Sequence, residues 1–345
     1  MSVQVTEGAP SDEARLAGLL AHSQELTALV GEVRSRIAGR WDGDQSLLAR
    51  TCTHALTPAG KLFRPILLLE SALAVGGDPR WVLPAAAGAE SGHVASLVHD
   101  DIIDDDDIRR GRPAVHAAFG VGDAIVAGDA LIFDLFAGLA ECHAAGAPAD
   151  RVVAALAVVS RCGIDLCRGQ SLEAEFCASG RFDHDTYLHM VRLKTAALFR
   201  AACEGGALLG GGEPRHVLAL GHYAQHLGVA FQIRDDLLPY TGSAGKPDTS
   251  DVRNGRLTLP VIIAHQAGSP ADRAAIEAAL SGTDDPATAR ADLLDVLHRT
   301  GAITATTRWA RRYLRLALTA LQPLPITASL ERLRGYAKAA VDRNH

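Results

Sequence analysis

The sequence predicts an all-α protein folded as a single domain. Three observations carry this. Long Ala- and Leu-rich segments repeat apolar residues at helical spacing. Short breaks rich in Gly, Pro and Asp, such as "GGDPR" and "GGGEPR", separate them. No run alternates apolar and polar residues between hairpin turns.

In chain order, the first dozen residues are polar and expected to be disordered, leaving 13–345 as the domain. The stretch "SDEARLAGLLAHSQELTALVGEVRSRI" opens with a capping signal and carries an apolar helical stripe. Further helices fit 61–77, 84–104, 121–145, 149–178, 184–210 and 214–238. After them come 254–267, 284–300, 302–322 and 327–342. There is no internal repeat and no low-complexity linker.

Composition narrows the function. Hydrophobic residues make up 48% and charged residues 21%, enough apolar material for one large core. A net charge of −6 gives no reason to expect nucleic acid as a partner. The N-terminus has no basic start and no apolar run, so no signal peptide is expected. The most apolar windows are broken, one by Pro84 and Glu90, the other by Asp123, Asp129 and Asp134. No transmembrane segment is expected. Six scattered cysteines without a CxxC pair suit a reducing compartment, so a cytoplasmic location is expected.

The chemistry lies at helix ends. "LVHDDIIDDDDIRRGRPAVH" puts six aspartates into the eight positions 100–107, followed by two arginines. On a helix, Asp100 and Asp104 stand about 40° apart on one face, with Asp101 beside them. Oxygen ligands one turn apart suit magnesium, and Arg109 and Arg110 supply donors for a highly charged anion. Taken alone, the run reads equally as a solvated acidic helix end balanced by arginines. A second acidic pair, Asp235 and Asp236, closes another long apolar helix in "GVAFQIRDDLLPYTGSAGKP", with Gln232 one turn earlier. Basic residues recur at separate places: Lys61 and Arg64, Lys194 followed by Thr195, Lys246, and Arg256. Lys194 is the least ordinary of them, since it falls inside an apolar helical run. Two acid-rich helix ends and several separated cations call for something strongly anionic between them. Two diphosphates bridged by magnesium satisfy that balance.

With these motifs in view, the chain resembles the trans-prenyltransferases, the polyprenyl synthetase family, from about Leu47 to Arg343. "GKLFRP", "SLVHDDIIDDDDIRRGRPAVH", "RLKTAALF", "GVAFQIRDDLL" and "SDVRNGRLTLP" follow the family's order. The resemblance implies long helices around a deep central cavity, the isoprenoid synthase fold, usually as a homodimer. It implies Mg2+ held by Asp100 and Asp104 on one wall, with Asp101 in support, and by Asp235 on the other, with Asp236 nearby. It implies that Arg109, Lys194, Thr195, Gln232 and Lys246 contact an allylic diphosphate. Isopentenyl diphosphate would be held by Lys61, Arg64, His93 and Arg110, and Arg256 would reach the phosphates from its loop. His93 reads equally as a satisfied core histidine.

Three positions depart from the family pattern. Pro239 stands where the second motif usually ends in an aspartate, Leu62 where many members carry an arginine, and Glu173 where aspartate is common. Class I terpene cyclases also use a helix-borne aspartate motif, but their later Asn/Ser/Glu metal motif is not found. Non-catalytic subunits tend to lose the first aspartates, which this chain keeps. Members that stop at farnesyl diphosphate often carry an aromatic residue at or next to position 95. Gly92, Ala95 and Ser96 are small, so the chain-length floor is expected elsewhere, with Phe133 and Phe136 as candidates. The expected product is geranylgeranyl diphosphate, then a longer chain, then farnesyl diphosphate.

Overall fold

The structure, a computed structural model, describes residues 23–241, 250–281 and 285–341. The expected disordered start and Lys246 lie outside the described residues.

Seventeen helices and one short hairpin are present among the described residues. They are α1 (Gln24–Ala38), α2 (Leu47–Leu56), α3 (Phe63–Ala74), α4 (Pro79–Ile103), β1 (Ile108–Arg109), β2 (Arg112–Pro113), α5 (Val115–Phe119), α6 (Val121–Ala144) and α7 (Ala149–Ser179). Then follow α8 (His184–Lys194), α9 (Ala196–Leu209), α10 (Pro214–Asp235), α11 (Leu238–Thr241), α12 (Ser250–Arg253) and α13 (Leu259–Ala267). The chain closes with α14 (Pro270–Leu280), α15 (Pro286–Arg299), α16 (Ala302–Ala320) and α17 (Ala328–Val341).

The all-α class holds, and α9 is its centre. It packs against α3, α7 and α10 and is buried on almost every side, as Ala197, Phe199, Cys203, Ala207 and Leu209 show. A helix apolar all round belongs in a core. A second, smaller core joins α13, α14 and α15 through Val261, Ile276, Leu293 and Leu297.

Three expectations need correction. The helix expected from residue 84 begins at Pro79, because the Asp78 side chain caps it by accepting from the Arg80 N–H. Proline suits a first turn, and Pro84 is then carried inside the helix. The helix expected over 184–210 breaks at Thr195. Gly169 of α7 presses on that break: a Cβ there would lie 2.3 Å from the Lys194 backbone nitrogen. Lys194 and Thr195 therefore stand at a helix junction, not inside a run. Finally, α2, α14, the short α5, α11 and α12, and the hairpin were not expected. The hairpin turns on Arg110 (φ 52°) and Gly111 (φ 74°), both left-handed, as a two-residue turn of type I′ requires.

Candidate active site

The bundle encloses a cavity of about 1160 Å³, above the ~300–1,000 Å³ of ordinary small-molecule pockets. From α4 it takes His93, Ser96, Leu97, Asp100 and Asp104. Their spacing of 3, 1, 3 and 4 residues marks one helical face. The C-terminus of α4 delivers the two carboxylates. Asp104 is the C-cap, its N–H bonded to the Asp100 carbonyl at 2.8 Å. A carboxylate at a helix C-terminus opposes the helix dipole. Its placement therefore costs stability and points to function.

Asp101 faces the other way. It is buried and accepts from Nε of Arg109 at 2.7 Å and from a terminal nitrogen of the same guanidinium. It thus holds Arg109 and does not join Asp100 and Asp104. Arg109 reaches the main cavity. Arg110 lines a small adjoining cavity beside Asp101 and Arg109.

The facing wall comes from α7, α8 and α10. Lys194 Nζ lies 2.5 Å from Glu173 and 4.0 Å from Asp100. Burial pushes the Asp100 carboxyl above the usual range, and Lys194 pulls it back, while Asp104 and Glu173 add to the rise. Thr195 Oγ1 donates to the Gln232 carbonyl at 2.8 Å, and the Gln232 amide donates to Asp236 at 2.9 Å. Asp236 also accepts from the Tyr187 hydroxyl at 2.6 Å and from the Leu259 N–H at 3.2 Å. It ties α8 and α10 to the start of α13. Burial pushes its carboxyl up to about 6, against the pull of those three donors. Asp235 lines the cavity at the end of α10.

Cations close the site. Arg256 donates to Asp104 and lies 3.5 Å from Asp251. Burial works against its charge, but Glu173, Asp104 and Asp251 outweigh it and hold its pKa above the ordinary value. Arg253 meets Asp106 at 2.5 Å. At the other end, Arg64 lies over the Phe199 ring at 4.8 Å. Burial lowers it to about 10, opposed by Glu90 and Asp235, so it stays charged at neutral pH. Burial, then Arg64, Arg110 and Arg109, hold His93 well below its usual value, which leaves it neutral there. Its Nδ1 is buried without a hydrogen-bond partner.

Of the residues singled out in the sequence, the cavity collects Arg64, His93, Asp100, Asp104, Arg109, Lys194, Thr195, Gln232, Asp235, Asp236 and Arg256. Lys61 is exposed and stands outside the lining. Tyr187, Asp251 and Arg290 line the cavity and were missed: Tyr187 and Arg290 fall in no motif, and Asp251 stands in the Arg256 motif without having been singled out. The chain-length candidates also change. Phe133 is 72% exposed, so it cannot be a floor. Phe136 packs on the main core outside the lining. Gly88, Gly92, Ala95 and His99 share one stripe of α4 that packs on α6, where a Cβ on Gly88 or Gly92 would meet Leu135 at 3.0 or 2.9 Å. Ala95 is therefore on the packed face, and Ser96 and Leu97 face the cavity.

Sequence and structure comparisons agree with this fold. The family model for polyprenyl synthetase matches residues 45–296. A short chain isoprenyl diphosphate synthase of Methanothermobacter thermautotrophicus is 38% identical over 301 residues, covering 86% of this chain and 91% of that protein. The crystal structure of geranylgeranyl pyrophosphate synthetase from Pyrococcus horikoshii superposes with a TM-score of 0.85 at 31% identity, over 96% of this chain and 99% of that one. A polyprenyl synthase from Caulobacter crescentus, complexed with calcium and isoprenyl diphosphate, gives a TM-score of 0.84 at 29% identity, over 98% of this chain and 99% of that one. With carboxylates and cations gathered in one helical cavity and these likenesses running along nearly its whole length, the chain belongs to the polyprenyl synthetase family.

Proposed function

We propose that the protein is a trans-prenyltransferase that joins isopentenyl diphosphate to an allylic diphosphate, with geranylgeranyl diphosphate as the main product. The observation that carries this reading is the charge layout of the cavity. Arg64, with Arg110 behind it in the adjoining cavity, forms one group of cations, and Lys194 with Arg256 forms another beside Asp100 and Asp104. Apolar side chains such as Leu166, Met190, Leu198 and Phe231 line the same space. One diphosphate needs one such group; two diphosphates need both.

The residues fit a divalent cation, which we take to be Mg2+. Asp100, Asp104 and Asp235 offer oxygen donors only. Among the described residues no three or more His, Cys, Asp or Glu stand close enough to enclose an ion alone. Magnesium keeps water and phosphate oxygens in its shell and needs only one or two carboxylates. Such an ion supplies charge stabilisation to a departing diphosphate.

The rest follows from the chain's own groups. Lys194 and Arg256 donate charge-assisted hydrogen bonds to the allylic diphosphate, and these strengthen as its C–O bond breaks. The apolar lining keeps water from the allylic carbocation. Arg64 and neutral His93 fix isopentenyl diphosphate, so that its double bond lies over the cation. The new C–C bond forms, and a proton passes from the adduct to the released diphosphate. Thr195 and Gln232, aligned through Asp236, set the position of the allylic group.

A homodimer is part of the same proposal. Val121, Ile125, Val126 and Phe133 of α6 and Val153 and Ile164 of α7 are all exposed. Apolar surface of that extent suits a second copy of the chain. No helix among the described residues is long and apolar enough to cross a membrane, and we infer a cytoplasmic enzyme. The test is direct: purified protein, Mg2+, isopentenyl diphosphate and dimethylallyl, geranyl or farnesyl diphosphate in turn, with products read by mass spectrometry. A main product of twenty carbons is expected. No consumption of isopentenyl diphosphate with any partner refutes the reading.

A further inference from the structure

One cation in the cavity belongs to none of the motifs. Arg290 stands on α15, and its side chain reaches the cavity wall shared by Asp235, Asp236, Pro239 and Asp251. One terminal nitrogen donates to the Pro239 carbonyl. Its Nε is withdrawn from solvent and has no hydrogen-bond partner. No ion pair with a carboxylate engages it among the described residues. A buried donor without an acceptor is costly, and such groups in a site call for a ligand, an ion or water.

Its neighbour sharpens the point. Residue 239 is where this chain carries proline in place of the family's last aspartate. The Arg290 guanidinium already meets the backbone of that residue. A carboxylate at 239 would stand within its reach and neutralise it. With proline there, the wall has one carboxylate fewer and keeps an unpaired guanidinium. A planar guanidinium matches phosphate oxygens with two parallel hydrogen bonds.

We propose that Arg290 binds the diphosphate of the allylic substrate from the second wall, supplying by direct contact part of the neutralisation that a last aspartate would supply through a bound cation. This rests on the prenyltransferase reading above. Arg290 is then a substrate-binding residue added by this chain to its weakened second motif.

Titration calorimetry on the full chain tests it. The probes are a non-ionising thio analogue of farnesyl diphosphate and isopentenyl diphosphate, each with EDTA and with Mg2+. Arg290→Gln removes the charge and, being two bonds shorter, the Pro239 bond as well, so the isopentenyl diphosphate arm reports any general loss of structure. The variant is expected to weaken the thio analogue by about tenfold or more, most clearly in EDTA, the scale of a lost charged hydrogen bond. Isopentenyl diphosphate is expected to move less than twofold, and Arg290→Lys to recover most of the loss. Unchanged analogue affinity in Arg290→Gln overturns the proposal, as does an equal loss for both ligands. If Arg290→Gln does not fold, Pro239→Asp reads the same charge. It should weaken the analogue in EDTA by a similar factor, and unchanged or tighter binding overturns the proposal. A wild-type chain that binds neither probe refutes the prenyltransferase reading together with this one. Tight wild-type binding with an indifferent Arg290→Gln refutes this one alone.

Discussion

Replacing Asp236 by alanine should weaken the fold itself, whereas Asp235→Ala should weaken only turnover. Asp236 is 5% exposed, and its carboxylate accepts from Tyr187, Gln232 and the Leu259 N–H. Alanine leaves three donors without an acceptor. At ~1–3 kcal/mol each, with a midpoint near 2, the loss is about 6 kcal/mol. Part of it is offset. A carboxyl held at about 6 rather than 3.8 carries a buried charge that costs the fold about 3 kcal/mol at pH 7. The net expected loss is then about 3 kcal/mol.

The sign of the pH dependence follows from linkage. The folded state holds this proton more tightly than the unfolded chain, so the wild type gains from Asp236 as pH falls through 6. Between pH 7 and pH 5 the gap between wild type and Asp236→Ala should widen by about 1–2 kcal/mol. Urea unfolding followed by circular dichroism, with EDTA present, measures both quantities. Asp235→Ala, at the cavity face, should unfold near the wild-type midpoint while losing turnover. An Asp236→Ala chain within about 0.5 kcal/mol of wild type, the range of ordinary surface changes, with no pH trend, would refute the reasoning.

Asp100→Asn and Asp104→Asn should each lower turnover by about 10²-fold or more, the scale of a lost electrostatic group, with the circular dichroism spectrum unchanged; turnover within a few-fold of wild type removes them from the mechanism. Arg64→Ala should weaken isopentenyl diphosphate more than the allylic thio analogue in calorimetry, and Lys194→Ala the reverse, with equal effects counting against two separate sites. Ser96→Phe should shorten the main product seen by mass spectrometry, since Ser96 faces the cavity. Ala95→Phe should leave product length alone and lower stability by ~1–3 kcal/mol, as overpacking does, because Ala95 is fully buried.

The bundle was legible because amphipathic stripes and Gly/Pro breaks are local signals. The longer helices from α6 onward fall close to their expected bounds, with three exceptions. The break at Thr195 has no glycine or proline to announce it, and arises where Gly169 brings α7 against the junction. The predicted segment 254–267 starts late, at Leu259, and α14 lay between two predicted segments. In the site, charge and spacing disclosed Asp100, Asp104, Lys194, Asp235 and Arg256. They did not separate Asp101 from Asp100, because the partner that turns Asp101 away from the cavity, Arg109, comes from the hairpin beyond the helix end. Tyr187 and Arg290 gain their positions only from long-range packing, which no window of sequence contains.

The pairing of Arg256 with Asp104 also sets the terms on which ligands enter. The site pairs its charges as couples, with Arg253 and Asp106 a second one. On the proposed function, drawing Asp104 toward a divalent cation alone costs Arg256 its closest carboxylate and leaves it Asp251 at 3.5 Å. Offering Arg256 a diphosphate alone strands Asp104. Only when both arrive does each half of the couple find a new counterpart. The stranding cost is therefore common to the two ligands and is borne once. Whichever is present raises the affinity of the other by the same factor, as thermodynamic reciprocity demands. On the proposed function, metal and prenyl diphosphate would thus act on this protein as one composite ligand.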